Sequence, residues 1–185
     1  MELRVNPEEK YTYEDYLTWD DDIRYELIDG VPFMMSTPNT AHQRVSINLV
    51  GTLGTYLKGK KYKAFAAPFD IRFNWDSKNN TVVQPDVVVY CDVNKLDEQG
   101  GKGAPDLVIE ILSPSTFKRD KGIKRALYEN FKVKEYWIVD PGNCVIEAFT
   151  LKNDLYHVEI YDQKDTIPVG IFEDFSIDLS EIFEE

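Results

Sequence analysis

Two carboxylates stand where a folded chain can least tolerate them. Asp86 precedes the run Val87-Val88-Val89-Tyr90, and Glu110 sits inside Asp106-Leu-Val-Ile-Glu-Ile-Leu112. In an extended chain side chains alternate, so Val108, Glu110 and Leu112 share one face while Leu107, Ile109 and Ile111 share the other. Both faces are apolar, the pattern of a central strand covered on both sides. A carboxylate in such a strand costs several kcal/mol unless a cation or hydrogen-bond donors compensate it. The plain reading satisfies Glu110 with a tyrosine, an arginine or backbone amides, and makes Asp86 a strand-start turn residue. Read as a pair on neighbouring strands, the same acids form an oxygen site suited to a hard divalent cation and a phosphate ester.

The pattern along the chain predicts how such strands are housed. Thr12 and Asp15 form a capping-box pattern ahead of a short helix carrying Tyr13, Tyr16 and Leu17. Asp29-Gly30 between 24–28 and 31–35 is a two-residue hairpin signal. Val45, Leu49, Leu53 and Tyr56 recur at helical spacing over about 40–58. Strands are expected over 62–66, 69–75, 81–91, 106–112 and 135–139, with a polar loop over 92–104 and a helix over about 116–131. A closing hairpin, 144–150 with 155–161, turns about Lys152-Asn153. Helix, antiparallel β and then a strand–helix–strand crossover predict an α/β or α+β chain with a central mixed sheet. No repeat or linker divides the 185 residues, so a single domain over 1–185 is expected.

On the expected helix, Asp120, Lys124 and Tyr128 lie four residues apart and line one stripe. Ile123, Leu127 and Phe131 form the adjacent stripe, expected to pack on the sheet. Lys124 then borders the buried face close to Glu110. Its alternative is snorkelling, with the ammonium in water, which suits Lys121 and Arg125 better. Ser113 and Ser115 are expected to shape the turn before this helix and to cap it.

Composition sets the limits. Apolar residues make up 43% of the chain, and no run approaches the ~20 residues of a membrane span. The first residues lack the apolar core of a secretory signal, and Cys91 and Cys144 form no metal-ligand spacing, so a reduced, cytoplasmic protein without membrane partners is expected. The net charge of −12 opposes a nucleic-acid partner, but its distribution is uneven. Lys58, Lys60, Lys61 and Lys63 form one basic cluster, and Lys118, Arg119, Lys121, Lys124, Arg125, Lys132 and Lys134 a second. Together they hold 11 of the 21 basic residues, whereas 173–185 carries six acids and no base. Local potential governs the docking of a polyanion, although such lysines are also ordinary solvated faces.

Pro85-Asp86 with Glu110-Ile111-Leu112 resembles the PD-(D/E)xK signature of restriction-endonuclease-like nucleases. Leu112 stands where that motif has its lysine. In several branches of the superfamily the lysine sits on the neighbouring helix, where Lys124 lies. The fuller ordered set is Tyr25-Glu-Leu-Ile-Asp-Gly30, His42, Gln84-Pro-Asp86, Glu110-Ile-Leu-Ser-Pro-Ser115, Asp120/Lys124/Tyr128 and Glu135-Tyr-Trp-Ile-Val-Asp-Pro141. Over about residues 10–182 this set resembles the Uma-two-type family of that superfamily.

The resemblance implies a restriction-endonuclease-like fold: a central mixed β-sheet flanked by helices, with an antiparallel N-terminal part. It implies that Asp86, Glu110 and the Ile111 carbonyl hold Mg²⁺ or Mn²⁺, and that Lys124 orients the attacking water and offsets transition-state charge. Glu26 is a candidate extra acid, with pairing to Arg24 or Arg44 as the alternative. His42 either contacts substrate or acts as a general base, or else packs locally. Tyr128 could orient a ligand carboxylate. DNA is the implied substrate, and two sites in a homodimer would cut two strands. Phe172 to Phe183 would pack at a subunit contact or cap the sheet. A nuclease-fold binding or regulatory module without activity, and a metal-dependent hydrolase of a non-nucleic phosphate ester, are the rival readings.

Overall fold

The computed structural model describes residues 5–6, 8–19, 23–75, 78–114 and 117–184. The chain opens with helix α1 (Tyr13–Tyr16) and the hairpin β1 (Tyr25–Ile28)/β2 (Val31–Met34). Helix α2 (Thr40–Leu57) follows, then β3 (Lys63–Ala66), β4 (Ile71–Arg72), β5 (Val82–Val83) and β6 (Val87–Tyr90). A 3₁₀ turn, Val93–Lys95, leads into β7 (Leu96–Asp97), β8 (Gly100–Lys102) and β9 (Leu107–Ile111). A π-helical segment, Arg119–Lys124, runs straight into α3 (Arg125–Asn130). Then come β10 (Glu135–Asp140), β11 (Val145–Lys152), β12 (Leu155–Asp162), β13 (Thr166–Pro168), β14 (Ser176–Asp178) and α4 (Leu179–Ile182).

The chain divides into two compact units. The first comprises Met1–Thr37, Phe69–Gln84 and Asn94–Gly103. Its sheet runs β2-β1-β5-β4-β8-β7, antiparallel except for the parallel β4/β8 pair. Thr12 caps α1 through the expected reciprocal box with Asp15. The β1/β2 turn has both central residues at positive φ, Asp29 at 50° and Gly30 at 78°, which matches the twist of the flanking strands. Tyr13, Leu27 and Val82 form its buried cluster.

The second unit comprises Pro38–Pro68, Pro85–Val93 and Ala104–Glu185. Its sheet runs β12-β11-β10-β9-β6-β3, with β9 and β10 parallel and every other pair antiparallel. Val45, Leu49 and Leu53 of α2 pack in one cluster with Val87, Val89, Leu107, Ile109, Ile111, Trp137 and Val139. The β9 members are the odd-numbered residues, so the alternation read from the sequence selects the α2-facing side. Burying each such side chain contributes about 1.5–3 kcal/mol. Ile177, Leu179, Ile182 and Phe183 join the same core, so the C-terminal stretch packs within this unit. The α+β class with mixed sheets flanked by helices is as the sequence predicts.

Several boundaries differ from the expectation, each for a physical reason. The strand expected over 81–91 breaks at Gln84-Pro85-Asp86 into β5 and β6, which belong to different sheets. Proline has no N–H for a ladder and restricts the residue before it. The expected strand 69–75 narrows to β4, and the expected loop 92–104 contains β7 and β8. The last hairpin turns on Asn153-Asp154, with Lys152 paired to Leu155, rather than on Lys152-Asn153. Ser115 lies outside the described residues.

The largest correction concerns the helix after β9. Ile123 was expected on the sheet, yet it is 45% exposed, while Asp120, Lys124 and Tyr128 are buried. An i→i+5 turn takes up an extra residue and rotates what lies beyond it relative to a 3.6-residue pattern. Leu127 keeps its expected burial.

Cys91 follows β6, and its N–H donates to Asp106 Oδ2 at 2.7 Å. Burial first, and then the Asp106 charge, push its thiol up to about 11. At pH 8 this leaves about a hundredfold less thiolate than an unperturbed cysteine carries. Alkylation by iodoacetamide at pH 8, followed by peptide mass spectrometry, should therefore be about a hundredfold slower at Cys91 in the folded chain than in urea. Equal rates would contradict this placement.

Candidate functional site

Every residue of the central cluster comes from the second unit. The β6/β9 register pairs Val87 with Ile109 and Val88 with Val108. Carried one step beyond β6, it sets Asp86 across from Glu110, so the two acids occupy adjacent strands. Like charges directly opposite one another destabilise a sheet, which makes their compensation the decisive feature.

Glu110 is 4% exposed. Its Oε1 accepts from Lys124 Nζ at 2.7 Å and from the Tyr128 hydroxyl at 2.6 Å. Lys124 is itself 1% exposed, and Asp120 Oδ1 lies 3.9 Å from its ammonium one helical step away. The π-helical segment and α3 thus turn a lysine, a tyrosine and an acid toward the sheet. The plain reading of Glu110 required a tyrosine, an arginine or backbone amides, and the cation present is Lys124.

Asp86 is held differently. Its Oδ2 accepts the Ile111 N–H at 2.8 Å and lies 3.2 Å from His42 Nε2. His42 stands in the first turn of α2, whose N-cap Asn39 accepts its backbone N–H at 2.9 Å. Burial disfavours the charged imidazole, but the Asp86 hydrogen bond and charge, with Asp120 adding to them, raise the His42 pKa above its ordinary value. The Asp86 side chain keeps 20% of its surface open to solvent, against 5% for Glu110.

The fit of a divalent ion can be judged from the donor set. Among the described residues, no group of three or more His, Cys, Asp or Glu side chains gathers as an all-protein cage. The alternative is two carboxylates plus a main-chain oxygen, the water-rich arrangement that Mg²⁺ prefers. Continuing the β6/β9 register sets Ile111 against Pro85. The Ile111 N–H goes to Asp86, and Pro85 has no N–H to offer the Ile111 carbonyl in return. That carbonyl is therefore without its ladder donor beside both acids, and the residues fit such an ion.

Glu26 belongs to the first unit, is fully buried, and accepts the Gln84 N–H at 2.9 Å. Gln84 in turn uses its whole side chain: Oε1 accepts from Arg24, and Nε2 donates to Tyr16 at 3.0 Å and Asp70 at 2.7 Å. In the sequence Gln84 stands beside Pro85-Asp86 with no task evident. Asp120 was likewise seen only as part of a stripe, and its four-residue spacing from Lys124 was the available signal. Leu112, in the place of the motif lysine, is buried at 7% exposure.

The second basic cluster is partly neutralised within the chain. Lys121 pairs with Glu147, Lys132 with Asp154 and Lys134 with Asp106. No helix among the described residues is long and apolar enough to cross a membrane.

Removing one member of a buried ion pair leaves an uncompensated charge and costs about 3–5 kcal/mol, whereas removing both members does not. Lys124→Met should lower stability by about that amount in urea titrations. The double variant Lys124→Met/Glu110→Gln should recover most of the loss. Strict additivity of the two single changes would contradict the pair.

Comparisons with known proteins agree with this architecture. A profile of the Uma2 family, described as "Putative restriction endonuclease", matches residues 13–180. An uncharacterized protein of Synechocystis sp., slr1290, is 30% identical over 151 residues, spanning 80% of this chain and 77% of its own length. A crystal structure of a putative nuclease belonging to DUF820 from Anabaena variabilis superimposes with a TM-score of 0.73 at 19% identity. That alignment covers 94% of this chain and 97% of the neighbour.

Proposed function

The chain belongs to the Uma2 family, and we propose that it is a nuclease-like enzyme that hydrolyses DNA phosphodiester bonds with the help of Mg²⁺ or Mn²⁺. The observation carrying the proposal is the buried contact of Lys124 Nζ with Glu110 Oε1, on the strand next to Asp86. It supports the lysine's transfer from the Leu112 position to the following helix. Asp86, Glu110 and the Ile111 carbonyl would hold the ion. When bound, the ion supplies charge neutralisation at the phosphate and a more acidic water.

The chain's own groups divide the remaining work. Tyr128 and Lys124 fix the Glu110 carboxylate at Oε1, and the Ile111 N–H and His42 fix Asp86 at Oδ2. Such fixation keeps ligand oxygens oriented at no cost during the reaction. Lys124 also brings a permanent positive charge, which offsets the charge growing on the phosphoryl oxygens. Water attacks phosphorus and the bond to the 3′ oxygen breaks, leaving a 5′-phosphate and a 3′-hydroxyl.

One observation favours a second reading. With a net charge of −12, and with several lysines of the basic cluster already paired to acids, a nuclease-fold module that binds without cutting has support. Calorimetric titration of Mn²⁺ separates the two, because an inert module has no reason to bind the ion.

Supercoiled plasmid nicking in Mg²⁺ or Mn²⁺ tests the enzyme directly. The wild-type chain should nick, and Asp86→Asn should reduce the rate by about a hundredfold or more without unfolding, because its carboxylate is partly solvated. Lys124→Met, checked for folding by circular dichroism, should lose activity as well. Undiminished nicking by Asp86→Asn would reject this site.

A further inference from the structure

Strand β12 ends the six-stranded sheet and is eight residues long, longer than the usual ~5–6. Leu155, Val158 and Ile160 on it are 63%, 51% and 69% exposed. The segment Leu155–Asp162 contains no Lys, Pro or Gly, and of the common devices that guard a free edge it carries only the acids Glu159 and Asp162. Among the described residues, no strand pairs with its outer side.

The register fixes which backbone groups that edge presents. Lys152 pairs with Leu155 across a two-residue turn whose residues, Asn153 and Asp154, have φ of 51° and 67°. In such a turn the closing pair is hydrogen-bonded, and hydrogen-bonded pairs alternate along the hairpin. Residues 155, 157, 159 and 161 therefore direct N–H and C=O toward β11. Tyr156, Val158 and Ile160 direct theirs outward, where the Tyr156 N–H donates to Glu129 Oε1 at 2.6 Å.

We propose that this edge pairs antiparallel with β12 of a second copy of the chain, about a twofold axis through Val158. A twofold perpendicular to the sheet keeps each side chain on its face, so the axis must pass through a residue. Centred on Val158, the register sets Val158 against Val158, Tyr156 against Ile160, His157 against Glu159 and Leu155 against Tyr161. The three residues with outward backbone groups then meet only one another, and the Tyr156 N–H exchanges the Glu129 carboxylate for the Ile160 carbonyl of the second copy. Apolar residues face apolar ones, and each imidazole faces a carboxylate.

The neighbouring registers are worse. Centring on Glu159 opposes two carboxylates and sets Tyr156 against Asp162. Centring on His157 opposes two imidazoles and sets Leu155 against Glu159. Like groups directly opposite are unfavourable, and matched pairs are favourable. At the ends of the Val158 register, Asp162 would meet Asp154 of the second copy in its turn, and pairing stops there. The proposal is independent of the nuclease reading, because no group of the metal-type site takes part.

Cross-linking and solution mass test it together. Residues in a hydrogen-bonded antiparallel pair have Cα atoms about 5.5 Å apart, within disulfide reach. Val158→Cys should form an oxidised dimer on non-reducing gels, beyond the background that Cys91 and Cys144 give in the wild-type chain, and Ile160→Cys should not. In light scattering the wild-type chain should be a dimer. Glu159→Lys should weaken association about tenfold, and adding His157→Glu should restore it, since the reversed pairs are again complementary. Restoration excludes mere misfolding. A wild-type chain that stays monomeric up to about 1 mM overturns the proposal and leaves the edge to a different protein strand. Cross-linking through Ile160 rather than Val158 overturns the register.

Discussion

A carboxylate in the middle of β9 governs much of the second unit. Glu110 lies on a strand flanked by β6 and β10, with almost no access to water. Such a group is tolerable only when a cation and donors reach it, and here they come from one helical segment. Lys124 and Tyr128, four residues apart, converge on the same oxygen. That requirement fixes the rotation of the segment about its own axis. Turning it to bury Ile123 would carry the ammonium away from Glu110, so Ile123 stays in solvent and the polar stripe goes inside. The π-helical stretch immediately before α3 is the backbone's accommodation, and such stretches are common at functional sites.

The parts of the fold legible in the sequence are those where local chemistry and global packing agree. The capping box at Thr12, the Asp29-Gly30 turn, the α2 stripe and the alternation in β9 each need only a short window, and the structure keeps them. The exposed Ile123 was not legible, because a periodicity argument assumes 3.6 residues per turn and an i→i+5 bond changes the count. Nor was the division of 81–91 between two sheets, since apolar residues on both sides of Pro85 look continuous to any pattern. For the candidate site, Asp86, Glu110 and Lys124 stood out as misplaced polar groups. What sequence could not supply was the partner of each, such as His42 on Asp86, which depends on a helix start 44 residues away.

Charge shows the same contrast between counting and placement. The chain carries −12, yet the basic residues around 118–134 form its larger basic cluster. The structure removes part of that cluster from any external role. Lys124 is buried against Glu110, and Lys121, Lys132 and Lys134 each meet a carboxylate. These are mostly short-range pairs, which weaken the far field more than the field close to the surface. An approaching polyanion would therefore gain little from long-range steering. Its affinity would depend on contacts made at close range, where a bound divalent ion would count most.

Pro85 links these themes through something it lacks. It ends the path that would extend β5, and with Asp86 it begins the approach to β6. At the point where the β6/β9 ladder would continue, it meets Ile111 without an N–H. The Ile111 amide is not left unsatisfied, because the Asp86 side chain accepts it at 2.8 Å in place of the Pro85 carbonyl. The Ile111 carbonyl receives no such substitute from Pro85. One imino acid thus leaves a main-chain oxygen without its ladder donor beside the Asp86 carboxylate, and both are hard oxygen donors next to Glu110. A non-proline residue at 85 could close the ladder and tie up that oxygen. The Pro-Asp dipeptide is therefore better understood as a device for interrupting a sheet at a chosen rung than as a proline that happens to precede an acid.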